Sequence, residues 1–195
     1  MMMGASGGSL PYDAEVEYLE STGTQGINTN VLLTTTETYK INAGIVILAG
    51  SGASKYIFSA TNSAIQVYTY NNNLLTQNVH MGLYLNTFAE IESITVGKKS
   101  TLKCFNNNIS TTYGNIQGGE SIWILKNAEI PTVSGGITRL YYCKIYENNS
   151  LVRDFIPVRK DGVGYMYDKV SKQLFGNVGT GSFILGADVL GGVNT

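Results

Sequence analysis

The sequence predicts an all-β domain in which two antiparallel sheets pack face to face. Roughly fifteen short runs of strand-forming residues alternate with turn signals at intervals of about 8–12 residues, a spacing typical of sandwiches and barrels. No apolar pattern with the helical period of about 3.6 residues persists for three turns. Tyr, Thr, Val and Ile favour strands, while Asn and the 23 Gly favour tight turns.

The strands are expected in order along the chain wherever β-formers lie between Gly, Asn or Ser turns. The run at 37–48, ETYKINAGIVIL, is predicted to be the longest strand and is the best candidate for a core strand. The run at 121–125 carries the only tryptophan. The remaining predicted strands are 15–20, 27–33, 55–60, 64–70, 74–79, 83–85, 88–96, 101–105, 109–113, 174–175 and 183–185.

Residues 137–168 organise the predicted fold as two long strands, a polar hairpin turn at 147–150 and a third strand. Successive side chains in a strand point to opposite faces, so Cys143 and Ile145 are predicted to share one face. Leu140, Tyr142 and Lys144 are predicted to share the other. Both faces are partly apolar, as expected of strands in the middle of two packed sheets.

One domain with an N-terminal arm is the simplest organisation of 195 residues without an internal linker. Residues 1–12 are rich in Gly and Ser and are predicted to be flexible, either as a disordered end or as an anchor that orders on a partner. Residues 13–195 form the predicted sandwich. No secretory signal and no apolar run of the ~18 residues that cross a bilayer are found, so no membrane partner is predicted.

Charge and cysteine usage exclude several classes of partner and cofactor. The formal net charge is -1 and the pI about 5.8, which does not favour nucleic acid. Cys104 and Cys143 lie in apparent strands and are predicted to be buried free thiols, although sequence cannot show whether they pair. Without a Cys-x-x-Cys spacing or a second histidine, no zinc site or other cofactor is predicted. No clustered Asp motif indicates calcium.

The two ends of the chain resemble a known family. The segment 18–25, YLESTGTQ, and the elements KIY at 144–146, LVRDF at 151–155, Pro157, Gly164 and Tyr167-Asp168 are similar to those of concanavalin A-like (laminin-G-like) jelly-roll domains. Such domains occur in surface proteins of gut bacteria and in structural proteins of tailed phages. Residues 101–109 resemble a strand-turn-strand of these domains, whereas Gly26 stands where an aromatic residue is common. The resemblance implies a concanavalin A-like jelly-roll β-sandwich of two antiparallel sheets.

No catalytic residue is predicted. Glu90 and Glu92 share one strand face, but the hydrolase pattern that they resemble needs another acidic residue, where Ile94 and Thr95 stand. The single His80 has no Gly-x-Ser-x-Gly partner, and the loop 176–181, GNVGTG, is read as a turn because no helix follows it. Asp154 is expected to be a structural hydrogen-bond anchor.

A sugar site is the remaining hypothesis, because sugars are bound by aromatic faces and amide groups. Two turns supply that mixture, although ordinary sandwich tyrosines and Asn-rich turns are the favoured explanation. The candidate carbohydrate-binding residues are Tyr68, Tyr70, Asn71, Asn72, Asn73, Asn106, Asn107, Asn108 and Tyr113.

Together with the resemblance, these observations predict a non-enzymatic virion structural protein: a head fibre, a capsid decoration or a tail-associated subunit. The N-terminal arm is predicted to bind other virion proteins, the chain to form a homo-oligomer, and a glycan to be bound weakly. The predicted location is the virion exterior. The alternative is a lectin-like domain on a bacterial cell surface, and a third reading is a glycoside hydrolase.

Overall fold

Two antiparallel sheets contain the strands of the described part of the chain, which in this computed structural model comprises residues 10–49, 53–71, 73–82, 85–112, 114–126 and 137–189. No helix occurs in those ranges, so none is present there that could cross a membrane. The predicted fold class, a concanavalin A-like jelly-roll β-sandwich, is confirmed. The predicted arm over 1–12 falls mainly on residues outside the described ranges and stays a prediction.

The large sheet has eight described strands in its main path, in the order β11-β10-β9-β4-β13-β14-β15-β16. Strands β1, β2 and β17 attach to this path. The strands of the large sheet are β1 (Ala14–Glu15), β2 (Leu19–Glu20), β4 (Thr38–Ala49), β9 (Phe88–Val96), β10 (Lys99–Cys104), β11 (Asn107–Thr111), β13 (Ile137–Glu147), β14 (Ser150–Lys160), β15 (Val163–Asp168), β16 (Gln173–Phe175) and β17 (Ile184–Leu185).

The small sheet packs against the large one, with six described strands in the order β3-β12-β5-β6-β7-β8. Its strands are β3 (Ile27–Leu32), β5 (Lys55–Ser59), β6 (Gln66–Tyr70), β7 (Asn73–Thr76), β8 (Val79–Gly82) and β12 (Ser121–Ile124). The inward side chains of both sheets form one apolar core. Phe58, Ile45 and Phe155 are among its fully buried members.

Two predicted strands are each divided in the structure. The run at 15–20 forms β1 and β2, because β1 pairs with β14 whereas β2 pairs with β13. The run at 74–79 forms β7 and the start of β8, because Gln77 and Asn78 adopt positive φ (49° and 66°) and make a tight turn. The predicted strand at 83–85 falls largely on residues outside the described ranges.

A bulge in β13 corrects the predicted faces of this strand. Its register with β4 shifts between Leu140 and Tyr142, so Leu140 and Cys143 both lie in the core. Two residues of a bulged strand oppose one residue of the partner, so strict alternation fails at that point. Beyond the bulge the alternation resumes, with Cys143 and Ile145 buried as predicted.

Both cysteines are buried and free, as predicted. Burial raises the pKa of the Cys104 thiol to about 11. Burial also raises the pKa of Cys143, and the negative charge of Asp154 adds to that shift. The two thiols are therefore neutral, apolar members of the core.

Candidate functional site

The front groove is an open depression of about 510 Å³ on the outer face of the large sheet. It crosses β13, β4, β9 and β10 and ends at the turn that follows β10. The polar and aromatic side chains that line the front groove are Asn42, Phe88, Glu90, Glu92, Lys103, Phe105 and Tyr142.

Strand alternation places these side chains on the outer face. In β9, Ala89, Ile91 and Ser93 are buried, so the intervening Phe88, Glu90 and Glu92 face away from the core. The register then fixes which of them are neighbours. Glu92 lies opposite Asn42 of β4 on one side and opposite Lys103 of β10 on the other.

Each carboxylate of the front groove has a partner that donates a hydrogen bond. Lys103 Nζ lies 2.7 Å from Glu92 Oε1, and the Tyr142 hydroxyl donates to Glu90 Oε1 across 3.0 Å. Burial, followed by the hydrogen bond to Glu90 and the charge of that residue, raises the pKa of Tyr142 to about 12. Tyr142 is therefore a neutral phenol at physiological pH and acts as a donor.

Gly44 allows Tyr142 to reach Glu90. It lies in β4, paired with Tyr142 of β13 on one side and with Glu90 of β9 on the other. A Cβ on Gly44 would come within 2.6 Å of Tyr142 Cε1 and 3.0 Å of Phe88 Cζ, so the two rings occupy the space above this residue. The sequence reasoning missed Gly44, although a glycine inside a long strand often marks such a close approach.

The front groove combines flat rings with hydrogen-bonding groups. Phe88 and Phe105 are each 47% exposed, a large fraction for phenylalanine side chains. Glu90 and Glu92 can accept hydrogen bonds from hydroxyl groups, and Lys103 can donate them. Within the described ranges, no group of three or more His, Cys, Asp or Glu residues is placed to hold a metal ion.

The predicted sugar residues around β6 and β7 lie on the small sheet, away from the front groove. Tyr68 is only 6% exposed, stacks on Tyr56 with ring centroids 5.1 Å apart, and donates a hydrogen bond to Asn78 Oδ1 at 2.8 Å. Its ring is therefore covered and is not accessible to a sugar.

Tyr70 and Asn71 are exposed at the end of β6, and the Asn73 amide donates to the Asn71 carbonyl at 2.9 Å. Asn72 falls outside the described residues. A sugar-binding role for these residues stays a prediction.

The second predicted cluster lies nearer the front groove. Asn106, Asn107 and Asn108 are exposed at the β10–β11 turn, where Phe105 adopts a φ of 53°. Asn108 pairs with Lys103, which places this turn at the end of the front groove. Tyr113 falls outside the described residues. The two Asn-rich turns belong to different sheets, so the structure does not bring them together as one site.

Two other residues and one loop were singled out from the sequence. His80 is exposed on β8. Asp154 forms ion pairs with two lysines, with Lys144 Nζ at 3.9 Å and Lys169 Nζ at 3.7 Å. The loop at 176–181 is a turn, as predicted, and its Val178 and Thr180 amides bond to the backbone at residues 26 and 24.

No family model and no curated protein sequence matches this chain. Similar solved structures include two of alginate lyase A1-II′, described as a family 7 alginate lyase, one bound to substrate and one to product. The first has 14% identity and a TM-score of 0.43, and the match covers 63% of this chain and 66% of that one. The second has 10% identity and a TM-score of 0.40, with 74% and 75% covered.

A further structure of the same enzyme has 12% identity and a TM-score of 0.42, with 61% of this chain and 66% of that chain covered. The substrate complex and this further structure are thus each matched over slightly less than two thirds of their own length. Sequence identities and TM-scores this low do not justify assigning the activity or the substrate of these structures to this chain.

The comparisons nevertheless correct the predicted function. A non-enzymatic virion structural protein was expected, but the similar structures described above are of an enzyme that acts on a polysaccharide. Both the predicted virion role and the prediction that the chain is not an enzyme are therefore wrong. The predicted location, partners and homo-oligomer stay predictions.

Proposed function

We propose that this protein is carbohydrate-active and that it binds a glycan chain in the front groove. The observation that carries the proposal is the alternation of exposed rings and hydrogen-bonding groups along one sheet face. Phe88 and Phe105 supply flat apolar surfaces for sugar rings, and Glu90 and Glu92 supply acceptors for sugar hydroxyls. The open shape of the front groove suits an extended chain.

The charges of the front groove favour a neutral glycan over an acidic one. Among the described residues, its lining contains two carboxylates, Glu90 and Glu92, and one ammonium group, that of Lys103. Lys103 is already paired with Glu92 at 2.7 Å, so the carboxylate of Glu90 is left with a neutral donor, Tyr142. A polyuronate would meet this excess negative charge, which opposes its approach.

Cleavage of the bound chain is a second candidate function, favoured by the hydrogen bond between Tyr142 and Glu90. A protonated phenol can give a proton to the departing glycosidic oxygen, and a neighbouring carboxylate can accept one. For the neutral glycans that the charges favour, the cleavage is a hydrolysis and the accepted proton comes from water. An elimination needs a uronate, whose ring carboxylate acidifies the C5 proton that is removed.

Binding is tested by titrating the purified chain with a panel of neutral and uronate oligosaccharides and following amide NMR signals of β9 and β10. We expect neutral oligosaccharides to shift these signals and Glu90→Ala to weaken binding by about tenfold, which corresponds to about 1.4 kcal/mol. Glu17→Ala is the matched control, since Glu17 is an exposed carboxylate between β1 and β2. If no saccharide shifts the signals, or both variants bind equally, the proposal fails.

Cleavage is tested on the glycans that bind, by measuring new reducing ends and the ultraviolet absorbance of an unsaturated product. Reducing ends without absorbance indicate hydrolysis, and both together indicate elimination. We expect Tyr142→Phe to abolish product formation while binding is largely kept, because the ring remains and only the hydroxyl is lost. Binding without any product would exclude the second candidate and leave the first.

A further inference from the structure

A second open groove, the rear groove, lies on the outer face of the small sheet, on the side of the sandwich opposite the front groove. Its volume is also about 510 Å³, and it runs across β3 and β12. The polar and aromatic side chains that line it include Asn28, Asn30, Glu120, Ser121 and Trp123.

Trp123 lines the rear groove because its neighbours in β12 point inward. Ile122 and Ile124 are fully buried, so the indole between them faces outward and is half-buried. Lys126 Nζ lies 5.1 Å from the centroid of the Trp123 ring and covers part of it. Trp123 is the only tryptophan of the chain.

Polar groups surround this ring. Asn28 of β3 lies opposite Trp123 of β12. The Oδ1 atom of Asn28 accepts a hydrogen bond from the backbone N–H of Asn30 at 2.9 Å, which orients the Asn28 side chain. Asn30 itself is exposed at a φ of 55°. Glu120 and Ser121 add a carboxylate and a hydroxyl at the start of β12.

We propose that the rear groove is a second saccharide-binding site. The Trp123 ring would stack on a sugar ring, and Asn28, Asn30 and Glu120 would bind its hydroxyl groups. The ligand class is a neutral saccharide, because the described lining has one carboxylate, that of Glu120, and the ammonium group of Lys126 lies against the Trp123 ring, so the two charges offset each other. A large aromatic surface ringed by amide and hydroxyl groups suits a ligand with an apolar ring face and polar edges better than a fully apolar one.

The opposite placement of the two grooves has a consequence for polymers. The front groove belongs to the large sheet and the rear groove to the small sheet, so one molecule can hold two glycan strands at once. When both grooves bind segments of one polymer, the second segment binds at raised effective concentration. The protein is then expected to cross-link a soluble polysaccharide even as a monomer.

The single tryptophan makes the rear groove directly testable. Titration with neutral oligosaccharides, with excitation at the red edge where tyrosine does not absorb, is expected to give a saturable change in Trp123 emission. The double variant Asn28→Ala/Asn30→Ala is expected to raise the dissociation constant from this signal at least tenfold. Glu90→Ala, in the front groove, is expected to leave it unchanged, so failure of the proposed function and failure of this inference are distinguishable.

Circular dichroism of each variant verifies that the sheets are intact. If loss of structure accompanies the double variant, Glu120→Gln replaces it, since that change keeps the side-chain volume. The inference is overturned if no saccharide alters Trp123 emission, or if the substitutions in the rear groove leave the dissociation constant unchanged. It is also overturned if emission changes only with protein concentration, because a second copy of the chain would then occupy the groove.

Discussion

The Tyr142 hydroxyl donates a hydrogen bond to Glu90 across 3.0 Å, although the two residues lie on strands that do not pair with each other. Strand β4 lies between β13 and β9, and the phenol passes over it at Gly44. The absence of a side chain at one position of β4 thus brings a phenol and a carboxylate of the front groove into contact.

Substitution of Gly44 by alanine is expected to disrupt the front groove while the fold is kept. The added Cβ would lie 2.6 Å from Tyr142 Cε1, so the ring must move and its bond to Glu90 is lost. We expect at least tenfold weaker glycan binding and a small fall in thermal stability, because the crowded atoms lie outside the core. Titration followed by NMR measures the first and calorimetry the second.

The matched control is Gly82→Ala in β8, where an added Cβ meets nothing within 4 Å. It changes the same residue type in a strand without crowding a neighbour. Equal binding by the Gly44 and Gly82 variants would show that the position of Tyr142 does not matter to the front groove.

The sequence was sufficient to predict the sandwich because the pattern that defines it is local. Alternation in β9 and the hairpin between β13 and β14 follow from the order of polar and apolar residues. The bulge at Leu140–Tyr142 did not follow, because it depends on how β13 pairs with β4. One extra residue at that point reverses the face of the residues on one side of it.

The site was harder to predict than the fold because it is assembled across strands. Glu90 and Glu92 were identified as one face from their spacing, but their partners Tyr142 and Lys103 come from other strands. Only the sheet order makes those residues neighbours. The predicted Tyr68 had the right residue type for stacking on a sugar, but Tyr56 stacks on its ring and Asn78 accepts a hydrogen bond from its hydroxyl, which composition does not reveal.

The stability of the fold is expected to fall as the pH rises above about 9. Burial raises the pKa of Cys104 from its ordinary value of 9.0 to about 11 and also raises that of Cys143. Above pH 9 the unfolded chain releases these protons and the folded chain keeps them, so unfolding becomes more favourable. The loss is about 1.4 kcal/mol per pH unit for each thiol until the pH reaches its folded pKa.

Urea unfolding between pH 7 and pH 11 measures this dependence. Cys143→Ala removes one fully buried thiol and is expected to reduce the slope above pH 9, whatever its effect on stability at pH 7. A slope that is identical in the variant and the parent chain would contradict the assignment of the dependence to this thiol. Tyr12 and Tyr142, whose pKa values are raised from the ordinary 10.0 to about 12, add to the loss of stability from about pH 10 upward.

Asn177 is expected to hold the two ends of the chain together. Its Oδ1 accepts hydrogen bonds from the amides of Gly26 at 3.0 Å and Gly179 at 2.7 Å, and its amide nitrogen donates to the Gly181 carbonyl at 2.9 Å. Asn177→Ala leaves those backbone groups without this partner and is expected to lower the free energy of unfolding by about 1–3 kcal/mol.

Chemical denaturation of the variant measures that loss. Asn107→Ala, at the exposed β10–β11 turn, is the control and is expected to change stability by less than about 0.5 kcal/mol. Similar losses in both variants would show that the bonds of Asn177 do not connect the ends. The motif TGTQ at 22–25 and the loop at 176–181 then need another explanation for their close contact.

The buried carboxylate of Asp168 is expected to make the stability of the fold fall in acid. It is fully buried, and its carboxylate accepts hydrogen bonds from the backbone amides of Asp154 at 2.8 Å, Val170 at 3.1 Å and Ser171 at 3.1 Å. Burial raises the pKa of Asp168, but these bonds together lower it more, and the net pKa lies below the ordinary value of 3.8. The stabilisation is therefore present above about pH 3.8 and is lost as the pH falls through the lower, folded pKa.

Replacement of Asp168 by asparagine keeps the shape but puts an amide group against backbone donors. We expect Asp168→Asn to lower the free energy of unfolding by about 1–3 kcal/mol at pH 7 and to flatten its decline below pH 4. Asp161→Asn is the control, because Asp161 is exposed at the β14–β15 turn with a φ of 52°, which asparagine tolerates. An unchanged acid profile in the Asp168 variant, measured by urea unfolding from pH 2 to pH 7, would assign the acid sensitivity to other carboxylates.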